Sequence, residues 1–184
     1  KSCLLLAGLR ADGITTLTQP AESRDHTERM FSAMGVNLKT SGLDLVLEPS
    51  ELNTVDVEIP GDISSAAFWM VAGICHPDAE LMIRNVGINP TRAGIITALQ
   101  MMGANLTLID ERVVAGEPVA DVLVKTSQLN GIELSGDIVP LLIDEIPVIT
   151  VAAAIAEGET VIRDAEELRV KESDRIHTSI TWLN

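Results

Sequence analysis

The sequence predicts an α/β (α+β) fold assembled from a recurring unit of helices, strands and hairpins. Three observations carry the prediction. Aliphatic residues switch between helical spacing and strict alternation along the chain. Glycine follows most of the apolar helical runs, at Gly35, Gly103 and Gly158, where it can end a helix in a left-handed conformation. The order helix, glycine, strand, polar loop, helix, glycine, hairpin returns about every 80 residues, a supersecondary repeat rather than a short solenoid period. With 184 residues, 46% of them hydrophobic, the chain can bury one or two modest cores, since domains commonly run about 100 to 150 residues.

Residues 2–11 read as a helix stopped by Asp12-Gly13, and residues 14–18 alternate as a strand. Ser23 or Asp25 can cap the next helix, which runs through Arg29, Met30 and Ala33 to Met34. Residues 36–40 and 43–49 make a hairpin around Ser41-Gly42, and residues 54–60 alternate as a further strand. The rhythm restarts at Pro60-Gly61-Asp62, the expected crossing between domains 1–59 and 60–184. A strongly apolar helix at 63–75 leads to a strand at 80–86, a helix at 91–102 closed by Gly103, and strands at 104–110 and 119–125. A third start follows: a helix at 144–156 closed by Gly158, a strand at 160–164 and a helix beginning near Glu172. Both ends fall inside a repeat. The chain is therefore expected to be a portion of a longer protein, with apolar faces that a neighbour or a second copy would cover.

The formal net charge of −14 argues against nucleic acid and anionic membranes as partners, because both call for a basic field. Phe31, Phe68, Trp69 and Trp182 are the only aromatic residues, too few for base-stacking platforms. The apolar run near the start stops at Arg10, lacks a small-residue cleavage pattern and is too short to span a bilayer. Cys3 and Cys75 show no metal-ligand spacing, which disfavours a disulfide framework or zinc site, fits a reducing cytoplasm and reads as two buried structural thiols.

A small anionic substrate would need a local cluster of cations, and polar residues interrupt the core pattern in three places. In SRDHTE, residues 23–28, Arg24 and His26 with the following Arg29 flank a helix start, where free N–H groups favour an anion; a capping sequence with solvated charges is the alternative. In LLIDEIP, Asp144-Glu145 breaks an aliphatic run, either as an N-cap or as a desolvated carboxylate able to act as a base. In LRVKESDRI, residues 168–176, Arg169, Lys171 and Arg175 interleave with Glu172 and Asp174 just after a strand. On a helix, Lys171 and Arg175 would lie one turn apart and hold a phosphate or carboxylate together, with Glu172 between them to exchange a proton; exposed salt-bridge lacing is the alternative.

Taken in order, SRDHTE, PGDISSAAFWMVAG, GINPTRAGIITALQMMGA, LLIDEIPVITVAAAIAEGETVI and AEELRVKESDRI resemble the 5-enolpyruvylshikimate-3-phosphate synthase (3-phosphoshikimate 1-carboxyvinyltransferase) family from Lys1 to about Ile176; only the tail HTSITWLN departs from it. The resemblance implies an enolpyruvyl transferase-like inside-out barrel of βαβαββ repeats, here incomplete. Residues 1–59 would end the first domain and 60–184 begin the second, with substrates held in the cleft between the domains. It also implies transfer of the enolpyruvyl group of phosphoenolpyruvate to the 5-hydroxyl of shikimate 3-phosphate, in the cytoplasm, on the shikimate route to aromatic amino acids, by the enzyme that glyphosate targets. No metal or organic cofactor is implied. By the same resemblance, Arg24, Asp144 and Lys171 would contact shikimate 3-phosphate, and Glu172 and Arg175 would face phosphoenolpyruvate. Asp144 is the candidate base, Glu172 the candidate acid and Lys171 a possible partner in proton transfer.

The family's other cationic contacts, including its N-terminal Lys-Ser segment and its later arginines, have no counterpart here, so the 184 residues alone are expected to be inactive. The related transferase acting on UDP-N-acetylglucosamine carries a reactive-cysteine loop, and neither Cys3 nor Cys75 sits in such a loop. A non-catalytic folding or complementation fragment is the competing reading from another class.

Overall fold

Alternating leucines build the first sheet. β1 (Thr15–Thr18), β2 (Leu38–Ser41) and β3 (Asp44–Leu47) pair antiparallel in the order β1-β3-β2, with Leu47 opposite both Thr15 and Leu38. Gly42, at φ 56°, makes the tight turn between Ser41 and Asp44. Leu45 and Leu47, alternate residues of β3, are fully buried. Helices α1 (Ser2–Gly8) and α2 (His26–Ala33) bring Leu5 and Phe31 to the core that holds Leu47, joined by Leu9 and Val36. Burying each such side chain is worth about 1.5–3 kcal/mol. In the computed structural model, which describes residues 1–183, these elements form one of two compact units, Lys1–Ile59 together with Val113–Pro118.

The strand expected at 54–60 does not form: residues 51–60 take no regular structure. Val55, Val57 and Ile59 alternate, but no described strand runs beside them, and an extended segment without a ladder partner does not become a strand. Ile59 is 83% exposed.

The second unit, Pro60–Arg112 with the chain from Val119 onward, is organised by apolar helices. In α3 (Ile63–Cys75), Asp62 caps the first turn, its carboxylate accepting from the Ser65 amide at 3.0 Å. Ile63, Ala66, Ala67, Met70, Val71 and Ile74 form the buried stripe at helical spacing, while Phe68 and Trp69 are exposed. The sheet of this unit has the order β4-β6-β5: β4 (Glu80–Gly87), β5 (Asn105–Val114) and β6 (Glu117–Lys125). Ala115 and Gly116, at φ 48° and 85°, turn β5 into β6, and both strands run longer than the alternation suggested. Helix α4 (Gly94–Met101) closes at Gly103 as expected but starts later, because Asn89, Pro90 and Thr91 fold into a turn of their own. Gly94 lets α4 approach the next helix, since a Cβ there would stand 2.9 Å from the backbone of Leu141.

Next come the short strand β7 (Glu133–Leu134), a 3-10 turn at Gly136–Ile138 and α5 (Val139–Leu142), none of them anticipated by periodicity. The chain then bends by 109° into α6 (Ile146–Ile155). The helix expected from residue 144 starts after the carboxylates because Pro147, which lacks an amide hydrogen, suits a first turn. Strand β8 (Val161–Ile162) pairs parallel with β7, a 3-10 turn spans Glu166–Val170, and α7 (Arg175–Leu183) ends the described chain. No single helix among the described residues is long and apolar enough to cross a membrane.

Candidate functional site

The bend between α5 and α6 puts Asp144 and Glu145 on a turn rather than in a helix. Neither is a side-chain cap: the α6 N-cap position is Glu145, and its carboxylate makes no cap hydrogen bond. The two neighbours face different surroundings. Glu145 is 2% exposed, accepts a hydrogen bond from Ser64 Oγ of α3, and lies 3.4 Å from Arg92 Nη2. Burial pushes the Glu145 carboxyl above its ordinary range, against the opposing pull of Ser64 and Arg92. Of the two carboxylates in IDEIP, the desolvated one is therefore Glu145. Asp144, half-buried on the same turn, collects cations instead.

Those cations come from two segments. After β8 the chain makes the 3-10 turn Glu166–Val170, is extended at Lys171 and becomes helical at Arg175, where Asp174 caps α7 by accepting from the His177 amide at 3.0 Å. The same amide holds the Asp174 carboxyl below its usual range. Lys171 and Arg175 thus share no helix face, contrary to the sequence expectation, because Lys171 leaves the preceding 3-10 turn in β geometry. They meet at Asp144 all the same: Arg175 Nη1 donates to Asp144 Oδ1 at 3.1 Å, and Lys171 Nζ stands 3.9 Å from that oxygen. On the other side Arg92 Nη1 lies 3.7 Å from Asp144 Oδ2.

Two exposed carboxylates occupy the outward faces of these cations. Glu172 takes Arg175 Nε and Nη2 in a two-armed pair, each bond 2.9 Å, and Glu167 takes Lys171 Nζ at 2.5 Å. The Arg175 guanidinium holds the Glu172 carboxyl below its usual range, and Glu172 in turn raises the pKa of Arg175. Asp144, Glu172, Arg175 and Ser64 form the polar side of an open cavity of about 610 Å³, faced by Phe68, Pro147 and Trp182. Such an arrangement can bind an anion by exchanging it for Glu172 or Glu167, beside a carboxylate able to accept a proton.

Arg24 belongs to the first unit and is exposed in the irregular stretch before α2. Its neighbours are engaged locally: His26 Nδ1 stands 2.8 Å from Glu117 Oε1, and Arg29 bonds the Asp25 carboxylate at 2.9 Å and the Gly116 carbonyl at 3.2 Å. Neither Ser23 nor Asp25 caps α2 with its side chain; Ser23 bonds Gln19 instead. Arg169 pairs with Asp174 at 3.2 Å. The thiols also depart from expectation, since Cys3 is exposed, and Cys75 is half-buried with its pKa pushed up by burial. Among the described residues no three His, Cys, Asp or Glu side chains are grouped to hold a metal ion. Ser64, Arg92 and Glu167 were not singled out as site residues from sequence; the first two lie in the PGDISS and NPTR segments, where a hydroxyl and a cation next to apolar helices were the available signal.

This fold is the one found in enolpyruvyl transferases. The NikO enolpyruvyl transferase of Streptomyces tendae superposes with a TM-score of 0.64 over 88% of this chain and 38% of its own, at 23% identity. The EPSP synthase of Acinetobacter baumannii matches far more closely, with a TM-score of 0.91 and 50% identity over 96% of this chain and 40% of its own. The family model for EPSP synthase (3-phosphoshikimate 1-carboxyvinyltransferase) matches residues 1–184, and the chain belongs to that family. The 3-phosphoshikimate 1-carboxyvinyltransferases of Gloeothece citriformis and Synechococcus elongatus are 59% and 58% identical over 100% and 96% of the chain. The chain spans 42% and 40% of the length of those two relatives.

Proposed function

We propose that this chain contributes to an enzyme that transfers the enolpyruvyl group of phosphoenolpyruvate to the 5-hydroxyl of shikimate 3-phosphate and releases inorganic phosphate. The observation that carries the proposal is the convergence of Lys171 and Arg175 on Asp144, with Glu172 as the exposed partner of Arg175. In this reading the segment 1–59 ends one domain and 60–184 begins another. The reaction runs in the cytoplasm on the route to aromatic amino acids, and the phosphoenolpyruvate site is the one glyphosate would occupy. Self-association through exposed apolar side chains such as Phe68 and Trp69 belongs to the same reading; sedimentation velocity showing only monomer would remove it.

The chemistry needs a proton taken from the 5-hydroxyl as it attacks C2 of phosphoenolpyruvate and a proton given to the methylene carbon. The tetrahedral intermediate then loses a proton from its new methyl group as it expels phosphate, which restores the carbon–carbon double bond. Asp144 accepts the first proton, and Lys171 holds shikimate 3-phosphate against it. Arg24 also contacts shikimate 3-phosphate. Arg175 takes the negative charge of phosphoenolpyruvate, and to do so it gives up Glu172. Glu172 has its pKa lowered mainly by Arg175, so losing that cation raises its proton affinity when the methylene must be protonated. The anion that displaces Glu172 thereby converts it from counter-ion to acid.

The test is Glu172→Gln in the full gene product. Turnover is expected to fall below detection while shikimate 3-phosphate binding, measured by calorimetry, stays within about twofold, because acid catalysis commonly contributes about 10²- to 10⁴-fold. Loss of binding with turnover preserved at saturation would sink the assignment.

A further inference from the structure

We propose that Arg92, anchored by the buried Glu145 and its partner Ser64, is a positioning residue that orients Asp144 for proton transfer. The inference rests on the reading of Asp144 as the proton acceptor. Arg92 is held from both ends. Its backbone closes a turn built on Asn89, whose side-chain oxygen accepts from the Thr91 amide at 2.9 Å and the Thr91 hydroxyl at 2.7 Å, while the Arg92 amide donates to the Asn89 carbonyl at 2.8 Å. Asn89 is itself buried, so the turn is fixed against the core. The guanidinium then spans two adjacent carboxylates: Nη2 lies 3.4 Å from Glu145 Oε1, and Nη1 lies 3.7 Å from Asp144 Oδ2. Nη2 also bonds Ser64 Oγ at 2.5 Å and reaches Asp62 at 3.8 Å.

The consequence is geometric. Asp144 sits on the turn between α5 and α6, and cations reach both oxygens of its carboxylate. Arg92 faces one oxygen and Arg175 the other, so the plane is set by a cation on each side. Arg175 is the cation the proposed mechanism lends to phosphoenolpyruvate. When it turns to the ligand and Lys171 turns to shikimate 3-phosphate, Arg92 still faces Asp144 Oδ2 and keeps the carboxylate from swinging away. Glu145 makes this possible by holding Arg92 in place from the buried side. Lysine cannot do the same, because a single ammonium does not offer two arms to two carboxylates.

The experiment uses Arg92→Lys and Glu145→Gln in the full gene product. Arg92→Lys should fold, bind both substrates with KM within about twofold of wild type, and lose on the order of 10- to 100-fold in kcat, the effect of a small misplacement of a reacting group. Glu145→Gln should move kcat the same way with a smaller loss. In crystal structures of both variants the Asp144 carboxylate should rotate away from its place beside Arg175. Wild-type kcat in Arg92→Lys, or an unmoved Asp144 in both structures, overturns the proposal. So does a fall in kcat that follows melting temperature and folded fraction in both variants, since that is the mark of a merely structural role. A wild-type protein with no enolpyruvyl transfer refutes the functional reading instead, and the position of Asp144 in the variants still decides the role of Arg92.

Discussion

Two segments of this chain put cations beside the start of a helix, and the structure uses them in opposite ways. Around the start of α2 the pairs are separate: Lys1 pairs with Glu28 at 2.6 Å, Arg29 pairs with Asp25 at 2.9 Å, and His26 Nδ1 lies 2.8 Å from Glu117. Before α7, Lys171 and Arg175 share Asp144, and Arg92 reaches it from a separate turn. Such separate pairs fasten a local structure. Several cations gathered at one carboxylate, with their other faces covered by exposed Glu167 and Glu172, leave donors that an anion can claim by displacing side chains that solvent already reaches. Charge density in the sequence is similar in the two places; convergence is what separates them.

The comparison breaks most directly at Asp144. In the full gene product, Asp144→Asn is expected to cut kcat by about 10²- to 10⁴-fold, the range of a lost general base, and steady-state kinetics with both substrates saturating measures it. A variant within threefold of wild type would show that the convergence is electrostatic scaffolding. A smaller effect is expected at Arg24, an exposed cation of the first unit. Arg24→Met should raise the KM for shikimate 3-phosphate by about 10- to 100-fold with kcat nearly unchanged, in line with the loss of one hydrogen bond to a charged group. An unchanged KM would remove Arg24 from the binding reading.

The Glu172–Arg175 pair gives a pH test. The Glu172 carboxyl is lowered from its ordinary value of 4.5, so whatever the pair contributes to stability is present above that value and is lost as pH falls through the lowered one. In Arg175→Met that acid dependence should shrink. An NMR titration of Glu172 should show its pKa rising when phosphoenolpyruvate is added to the wild-type protein, if the ligand takes Arg175. A titration unmoved by ligand would mean that Glu172 keeps its cation, and the switch from counter-ion to acid would fail.

Much of the framework was legible because its causes are local. The bounds of α3 follow from Asp62 as cap, a run of small and aliphatic residues, and His76-Pro77 beyond it. Glycine placement marked the ends of α2 and α4, and LRVKESDRI stood out because cations and carboxylates interleave beside a strand end. What could not be read has non-local causes. Residues 54–60 alternate like a strand but lack a described neighbour to pair with. The 3-10 turn and α5 interrupt an aliphatic stretch whose periodicity suits several structures, and only packing against α4 at Gly94 selects one. Arg92, Ser64 and Glu145 reach one another from three separate segments, and no spacing rule along the chain encodes that meeting.

The smallest effect is expected at Arg29, and it sharpens the contrast most finely. Its guanidinium spans the Asp25 carboxylate and the Gly116 carbonyl inside the first unit, and Asp25 raises its pKa. Both partners are roughly a third exposed, at 31% and 30%, so solvent screens the pair and its loss should cost about 1 kcal/mol or less. Arg29→Met should therefore lower the melting temperature by a few degrees at most and leave the KM for shikimate 3-phosphate where it was. A KM that rises as much as in Arg24→Met would mean that the cations before α2 act together on a ligand. The first unit would then hold a convergent site of its own, and the division between separate pairs there and shared carboxylates before α7 would no longer stand.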